Sequence, residues 1–255
     1  MCGSWNTQGV IGKVPRFFMP AHENTKQIKS RQRVADHGEV FTNPREVNAM
    51  LDLVRDESFR LDSRFLEPAC GDGNFLAEIL RRKMSLIENL KSQNEWEFQS
   101  LIAVSSCYGI ELLPDNTEAC RHRLEEIVLA DYYMVFMKTS FSGAEVPFRL
   151  DNSYDSYPLT DYRKSLQYIL QKNIVCGDAL TYRTAEGKPI TFCEWTPIAG
   201  GMQFSRRDFQ FDFLVTQSHQ YSLFDEQGEA QSFDEPVRTY PPLHYTQLYR
   251  YEEQL

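Results

Sequence analysis

The segment from Arg64 to Leu76 constrains the fold more than any other part of the sequence. A short apolar stretch, Arg64-Phe65-Leu66-Glu67, precedes the turn Pro68-Ala69-Cys70-Gly71-Asp72-Gly73. The apolar positions after the turn keep helical spacing: Leu76, Ile79, Leu80, Met84, Ile87 and Leu90. The two glycines allow a sharp bend and let a ligand approach without hindrance from a Cβ atom. Strand, glycine turn and helix predict the first unit of an α/β fold.

Two further strands are predicted, and each ends in an acidic residue: Cys107–Leu112 with Glu111, and Asn173–Asp178. Phe209–Val215 is predicted as a later strand, and Leu101–Val104 as a strand or the end of a helix. Strands that alternate with helices predict a mainly parallel sheet, in which ligands bind beyond the carboxyl ends of the strands.

Helices are predicted around these strands from capping and periodicity. Asn43-Pro44-Arg45-Glu46 resembles a capping box with proline at the first helical position. The predicted buried positions of three helices are Val47, Met50, Leu51 and Val54; Cys120, Leu124, Ile127 and Val128; and Leu166, Ile169 and Leu170.

Composition limits the class of protein. The chain has 255 residues, of which 42% are hydrophobic and 25% are charged, as in a globular protein with a buried core. No stretch approaches the roughly 20 apolar residues of a membrane span, and the apolar run near Phe17 is too short and too broken for a signal peptide. We expect a soluble, cytoplasmic protein with no membrane partner. The six cysteines contain no C-x-x-C pair, so we expect core thiols and no metal site.

Charge is distributed unevenly, which suggests a domain organisation. Residues 1–33 carry six basic side chains against one acidic side chain, whereas the whole chain has a net charge of −9. An acidic body argues against a free-standing nucleic-acid binder. We predict a basic arm at 1–37, a ligand-binding domain at 38–220 with an insertion at 181–208, and an acidic tail at 221–255.

The glycine turn has more than one interpretation. A dinucleotide site requires a third small residue, but Leu76 holds that position, and Glu67 would repel a pyrophosphate. A cationic ligand would gain from Glu67, and a plain tight turn is the structural alternative. Glu111 can accept both hydroxyls of a ribose, or be a solvated loop residue. Asp178 can accept the exocyclic amine of an adenine, with Leu180 against the ring, or cap a helix.

These segments together resemble the S-adenosylmethionine (SAM) site of adenine-specific DNA methyltransferases from restriction–modification systems. The matching segments are Gly38–Thr42, Leu66–Leu76, Tyr108–Leu112 with Asn116, Cys120 and Arg121, and Asn173–Leu180. The resemblance implies a Rossmann-like class I SAM-dependent methyltransferase fold, with DNA as a partner. The cofactor-binding residues that it implies are Phe41, Thr42, Glu67, Ala69, Gly71, Gly73, Asn74, Phe75, Glu111, Leu112, Asp178, Ala179 and Leu180.

The resemblance lacks one motif. The family has Asn or Asp, two prolines and an aromatic residue after the fourth strand, whereas this chain has Phe211–Gln220. Here Gln217 could accept one hydrogen bond and His219 or Tyr221 could stack on a base, and the alternative is that all three are ordinary loop residues. Tyr240-Pro241-Pro242-Leu243 has the two prolines alone and is interpreted as a polyproline-like tail segment. The catalytic residues are therefore not assigned. The 35 residues after Gln220 are too few for a full methyltransferase sheet, so we expect an incomplete one.

Two functions follow from this partial match. The first is methyl transfer from SAM to an exocyclic amine in DNA, alone or with a partner chain. The second is a catalytically idle SAM-binding subunit of a restriction or phage-defence complex, with a separate specificity or restriction subunit. In the insertion, aromatic residues interleaved with arginines predict either contact with single-stranded nucleic acid or a docked hairpin: Phe192, Trp195, Phe204, Arg206 and Arg207.

Overall fold

The computed structural model describes residues 42–137, 159–212 and 236–254, together with Ser30, Gln32, Arg33 and Ala35. The chain divides into two compact units, Met1–Val40 and Phe41–Leu255. In the first unit, the backbone N–H of Arg33 donates to Ser30 Oγ at 3.1 Å. The described part of the second unit is a mixed α/β structure with two sheets.

The helices and strands of the second unit have the following bounds. The helices are α1 (Pro44–Asp52), α2 (Arg55–Ser58), α3 (Asn74–Met84), α4 (Gln93–Ser105), α5 (Pro114–Tyr132) and α6 (Asp161–Asn173). A π-helical turn, Tyr133–Met137, continues α5, and 3₁₀ helices cover Ala199–Gly201 and Tyr245–Gln254. The strands are β1 (Phe65–Glu67), β2 (Cys107–Glu111), β3 (Ile174–Asp178), β4 (Arg183–Thr184), β5 (Thr191–Ile198), β6 (Gln203–Gln210) and β7 (Arg238–His244). No helix within the described ranges is long and apolar enough to cross a membrane.

The first sheet has the strand order β1-β2-β3-β4. Strands β1, β2 and β3 are parallel, with Glu67 opposite Gly109 and Glu111 opposite Cys176. The short strand β4 pairs antiparallel to β3. Helices separate the parallel strands along the chain, as parallel pairing requires. The carboxyl ends of β1, β2 and β3 therefore meet at one edge of the sheet.

The sequence predicted these three strands correctly. Of the two alternatives for Leu101–Val104, the end of a helix is confirmed, since these residues are the last turn of α4. From Trp96 onward α4 is buried almost all round, so its apolar run lacks the polar face that marks a surface helix. The cap of α1 is confirmed, since Asn43 Oδ1 accepts from the N–H of Arg45 at 2.9 Å. The predicted buried face of α1 is confirmed for Val47 and Leu51, which are buried. It is wrong for Met50 and Val54, which are exposed. Val54 lies beyond the end of α1 at Asp52.

Strand β2 is buried on both faces of the first sheet. Leu76, Cys120, Leu124, Leu166 and Ile169 belong to the main core, and all are fully buried. Tyr108 and Ile110 belong to a second, smaller cluster that also contains Ile190, Phe192 and Phe211. The prediction of core thiols is confirmed for most cysteines within the described ranges: Cys70, Cys107, Cys120 and Cys193 are buried, free thiols.

The second sheet combines the predicted insertion and the predicted tail. Its antiparallel order is β5-β6-β7, with Trp195 opposite Arg206 and Arg206 opposite Tyr240. The interpretation of Tyr240–Leu243 as a polyproline-like segment is wrong, since these residues lie in β7. Proline is tolerated at a sheet edge, where its missing N–H breaks no ladder. The predicted strand Phe209–Val215 is displaced: β6 ends at Gln210, Phe211 and Asp212 are helical, and 213–215 lie outside the described residues.

The C-terminal 3₁₀ helix packs against α6. Its buried residues Tyr245, Leu248 and Tyr251 repeat every third position, which is the period of a 3₁₀ helix. The Tyr251 hydroxyl donates to the Phe204 carbonyl at 2.7 Å, and the Leu248 N–H donates to Ser165 Oγ at 3.1 Å. This segment therefore contributes to the main core.

A buried ion pair lies inside the second sheet. The Arg206 guanidinium donates two hydrogen bonds of 2.7 Å to the Asp208 carboxylate. Four aromatic rings surround it, and we call them the aromatic box: Tyr168, Trp195, Tyr240 and Tyr251. Phe192, Trp195, Phe204 and Arg206 are all buried, so the insertion is a docked hairpin. The alternative that these four residues contact nucleic acid is wrong.

Candidate functional site

Three carboxylates mark the edge where the parallel strands end. Glu67 is the last residue of β1, Glu111 the last of β2 and Asp178 the last of β3. The pairing β1-β2-β3 makes these strands neighbours, although their residues are far apart in the sequence. We call this edge the strand-end site, defined by residues 67–75, 111–113 and 178–180.

The turn after β1 is shaped by its two glycines. Gly71 and Gly73 have φ angles of +54° and +90°, a region that other residues rarely adopt. Gly73 is also the N-cap of α3, and its carbonyl accepts from the N–H of Ala77 at 2.8 Å. A Cβ atom at Gly73 would lie 2.7 Å from Cys120 Sγ. The glycines are therefore required both for the bend and for close packing against α5.

Glu111 joins the turn to the end of β2. Its Oε2 accepts from the N–H of Gly71 at 2.8 Å, and its Oε1 accepts from the N–H of Leu113 at 3.0 Å and from Asn116 Nδ2 at 3.4 Å. The residue is only 8% exposed. A carboxylate has about four lone-pair positions, so three donors leave about one for a ligand. A ribose could donate both hydroxyls only if one of these protein donors is released.

Glu67 is a half-buried carboxylate whose negative charge is stabilised by few neighbouring donors. Its only hydrogen bond within the described ranges is a long one, 3.4 Å from the N–H of Ala69. Burial raises the pKa of Glu67 above its ordinary value, and the Ala69 N–H offsets this only in part. No cationic side chain of the described residues pairs with it. A bound cation would therefore gain from this position.

Asp72, between the two glycines, is held by α5. Its Oδ2 accepts from Arg123 Nη2 at 2.7 Å, while Arg123 Nη1 donates to Asn74 Oδ1 at 2.5 Å. Asn74 Nδ2 reaches the carbonyl of Thr42 at 3.4 Å. One guanidinium thus fixes the turn, and Asn74 connects it to the segment that leads into α1.

Asp178 closes its own loop at the end of β3. Its Oδ1 accepts from the N–H of Leu180 at 2.8 Å, which makes an Asx-turn. The Leu180 side chain is 89% exposed, and Leu112 at the end of β2 is also exposed. Cys176 Sγ lies 3.7 Å from the Leu112 carbonyl, so the loops after β2 and β3 are adjacent.

The structure thus brings together most of the residues that the sequence pointed to. Thr42, Glu67, Ala69, Gly71, Gly73, Asn74 and Glu111 form one hydrogen-bonded or continuous group, with Asp178, Ala179 and Leu180 on the neighbouring strand. Phe75 packs against the main core, and Ala179 packs against the second cluster. Phe41 lies outside the described residues.

Sequence reasoning missed Arg123. The quoted Arg121 donates instead to the Ile174 carbonyl at 2.7 Å, where it supports the start of β3. A signal was present, because Asn116, Cys120 and Arg123 are spaced four and three apart on a helix and so share one face. That face is the one that contacts the glycine turn.

A groove of about 440 Å³ lies elsewhere, between α6 and the C-terminal 3₁₀ helix, and Lys164, Lys172 and Tyr249 are part of its lining. Its charges pair with one another: Lys164 lies 2.9 Å from Asp161, and Lys172 lies 2.5 Å from Glu252. These paired charges offer a ligand less than the carboxylates at the strand ends do.

The comparisons with known proteins do not assign a family. No family model, curated protein or solved structure matches the chain. The donors and acceptors at the strand-end site nevertheless fit one class of ligand. An excess of acceptors over cations favours a ligand that carries positive charge and hydroxyl or amine donors.

Proposed function

We propose that the chain is a SAM-dependent methyltransferase of the adenine-specific DNA type, with a Rossmann-like fold and SAM held at the strand-end site. The observation that carries this proposal is the hydrogen bond from the Gly71 N–H to the Glu111 carboxylate. Beside it lies the half-buried carboxylate of Glu67, which has no cationic partner among the described residues. This arrangement places a hydroxyl-accepting group beside a cation-attracting group at the ends of adjacent parallel strands.

Each carboxylate has a separate role in this proposal. Glu67 attracts the positively charged methionine and sulfonium end, Glu111 accepts from the ribose hydroxyls, and Asp178 accepts from the adenine amine. The exposed side chains of Leu112 and Leu180 supply apolar surface beside the adenine ring. When bound, SAM supplies a methyl group on a positively charged sulfur. The residues of the chain contribute mainly by positioning, which is the principal requirement of an in-line transfer.

A second candidate function is favoured by the sequence after β6. Phe211 is buried in the second cluster, and the stretch that follows lacks the acceptor motif with its two prolines. A chain without that motif fits an idle SAM-binding subunit of a restriction or phage-defence complex, in which a partner acts on the DNA. Both candidates share the same cofactor site and differ in the transfer step.

Binding and transfer are measured separately to distinguish them. SAM binding is measured by calorimetry, and transfer by the incorporation of labelled methyl groups into duplex DNA. We expect wild type to bind SAM and to label adenine. Glu111→Gln should weaken binding at least tenfold, and Gly71→Val should abolish it, because a β-branched residue at a φ of +54° is strained.

Glu118→Gln is the matched control, because Glu118 is an exposed acid on α5. It should bind and transfer as wild type does. Binding without labelling of DNA would replace the first candidate with the idle subunit. Absence of SAM binding in the folded wild type would eliminate both candidates.

A further inference from the structure

Two cysteine thiols meet directly beneath the glycine turn, although they are fifty residues apart in the sequence. Cys70 lies in the turn and Cys120 lies on α5, and their thiols share a hydrogen bond. Both are free thiols and both are buried, with exposures of 6% and 0%. Cys120 Sγ also packs against the far end of the turn, since a Cβ atom at Gly73 would lie 2.7 Å from it. The turn therefore rests on α5 through a pair of contacting sulfur atoms.

The two cysteines differ in how freely they can move. Cys120 is fixed in the middle of a regular helix of 19 residues. Cys70 is attached to the end of β2 by the hydrogen bond from its N–H to the Ile110 carbonyl, at 3.0 Å. It is followed directly by Gly71, which has a φ of +54°. A turn that contains glycines can make the small adjustment that brings two contacting thiols into disulfide geometry, with the Cβ atoms about 3.5–4.5 Å apart.

The surroundings of Cys70 control how fast its thiol reacts. The hydrogen bond with Cys120 and burial raise the pKa of Cys70 well above its ordinary value, and the negative charges of Glu111 and Glu67 raise it further. The thiolate is the form that attacks a disulfide. The closed turn therefore slows oxidation of this pair, and the reaction takes place when the turn opens.

We propose that Cys70 and Cys120 form a reversible disulfide that fixes the glycine turn to α5, with a small-molecule disulfide such as oxidised glutathione as the oxidant. The Cys70 thiolate attacks one sulfur of the oxidant, which gives a mixed disulfide and releases one thiol. The Cys120 thiolate then attacks the Cys70 sulfur and releases the second thiol. In total the two protein thiols lose two electrons and two protons, and the oxidant gains them as two thiols.

The disulfide has a consequence for the strand-end site, and this consequence rests on the proposed function. Cys70 precedes Gly71, whose N–H donates to Glu111 at 2.8 Å. Glu111 can accept both hydroxyls of a ribose only if one of its protein donors is released. A bond between the turn and α5 restricts the movement of Gly71, so the oxidised chain should bind SAM more weakly than the reduced chain.

Glutathione redox buffers test the disulfide on the full-length chain without any ligand. Free thiols are blocked, and peptide mapping under non-reducing conditions measures the fraction of chain that carries the bond from Cys70 to Cys120. In the same buffer, the ratio of disulfide to dithiol should be at least about tenfold higher in the folded chain than in the chain unfolded by urea, because the fold holds the two thiols together. An equal or lower ratio in the folded chain would overturn the proposal.

Cys193→Ala is the matched control, because Cys193 is a buried free thiol in β5 of the second sheet. This variant should form the bond from Cys70 to Cys120 to the same extent as wild type. Cys120→Ala should leave Cys70 as a free thiol, and a disulfide from Cys70 to another cysteine at the wild-type level would contradict the proposed pairing. If Cys120→Ala does not fold, the mapping of wild type still decides the question.

Calorimetry with S-adenosylhomocysteine tests the link to the strand-end site. The oxidised chain should bind this nucleoside at least about fivefold more weakly than the reduced chain, and dithiothreitol should restore the affinity. Equal affinities of the two forms would refute control of the site by the disulfide. If the reduced wild type does not bind the nucleoside, the proposed function fails, whereas the peptide mapping decides the disulfide on its own.

Discussion

The strand-end site and the second sheet both contain buried charge, but they compensate it differently. In the second sheet, Arg206 and Asp208 form a bidentate pair inside the aromatic box. At the strand-end site, Glu67 has one long hydrogen bond and Asp72 has an oxygen without a donor within the described ranges. Paired charge of the first kind serves the architecture, whereas a carboxylate such as Glu67, which has no cationic partner among the described residues, indicates a place for a ligand at the end of parallel strands.

The largest expected effect comes from breaking the compensated pair. Asp208→Asn leaves the Arg206 guanidinium buried without its counter-charge, which costs about 3–5 kcal/mol. We expect that loss in the free energy of unfolding from urea titration. SAM affinity, measured at a temperature where the variant is still folded, should remain within about twofold of wild type. A stability loss under about 1 kcal/mol would show that this pair does not support the second sheet.

The next effect tests the close packing of the glycine turn. Gly73→Ala puts a Cβ atom 2.7 Å from Cys120 Sγ at a φ of +90°, so overpacking and strain together cost about 2–4 kcal/mol. Adding Cys120→Ala removes the sulfur and should restore part of this loss. A double-mutant cycle in urea measures the coupling, and strictly additive losses would contradict the described contact.

The third prediction tests whether burial of an acidic side chain is by itself enough to mark a ligand site. Burial raises the pKa of Asp131 to about 6. Asp131 lies about 22 Å along α5 from Asn116, far from the strand ends. The folded chain binds this proton more tightly than the unfolded chain does, so the free energy of unfolding falls as the pH rises from about 4 to 6. Asp131→Asn should stabilise the chain by about 1–2 kcal/mol at pH 8 and should give no gain below about pH 4.

SAM affinity should not change in Asp131→Asn, because this carboxylate is outside the strand-end site. Glu118→Gln is the matched change at an exposed position of the same helix, and it should change the free energy of unfolding at pH 8 by less than about 0.5 kcal/mol. A stability gain that persists below about pH 4 would show that the effect is not electrostatic.

The smallest expected change in the free energy of unfolding comes from Glu67→Gln, which should also change the affinity for SAM. The pKa of Glu67 is raised in the same direction as that of Asp131, but Glu67 is less buried. Glu67→Gln should therefore raise the free energy of unfolding near neutral pH, by less than Asp131→Asn does, and should give no gain at acid pH. Unlike Asp131→Asn, it should weaken SAM binding, as measured by calorimetry. Stabilisation without any loss of affinity would remove Glu67 from the site.

The first sheet could be predicted because the local sequence patterns of its strands, turn and helices agree with the final fold. The glycine turn, the apolar helix positions and the acid at each strand end lie in continuous segments of the sequence. The second sheet could not be predicted in the same way, because β7 contains Pro241 and Pro242, which local rules assign to other structures. Its pairing with β6 depends on the burial of Tyr240, which is visible only once the core is assembled.

The candidate site, like the fold, could be predicted from the sequence only in part. The carboxylates could be proposed from their positions after predicted strands, but the Gly71 donor to Glu111 depends on strand register. Arg123 was missed because its contact with Asp72 crosses 51 residues. The period of three in Tyr245, Leu248 and Tyr251 was a usable signal for the C-terminal 3₁₀ helix.

Amide hydrogen exchange with and without S-adenosylhomocysteine tests the central claim most directly. We predict added protection at residues 69–76, 111–113 and 178–180, with the Gly71 N–H changed because its bond to Glu111 is rearranged. The strands β5 and β6 should exchange as they do without the ligand. Saturating ligand that protects the second sheet instead, or that leaves all three strand-end segments unchanged, would contradict the account.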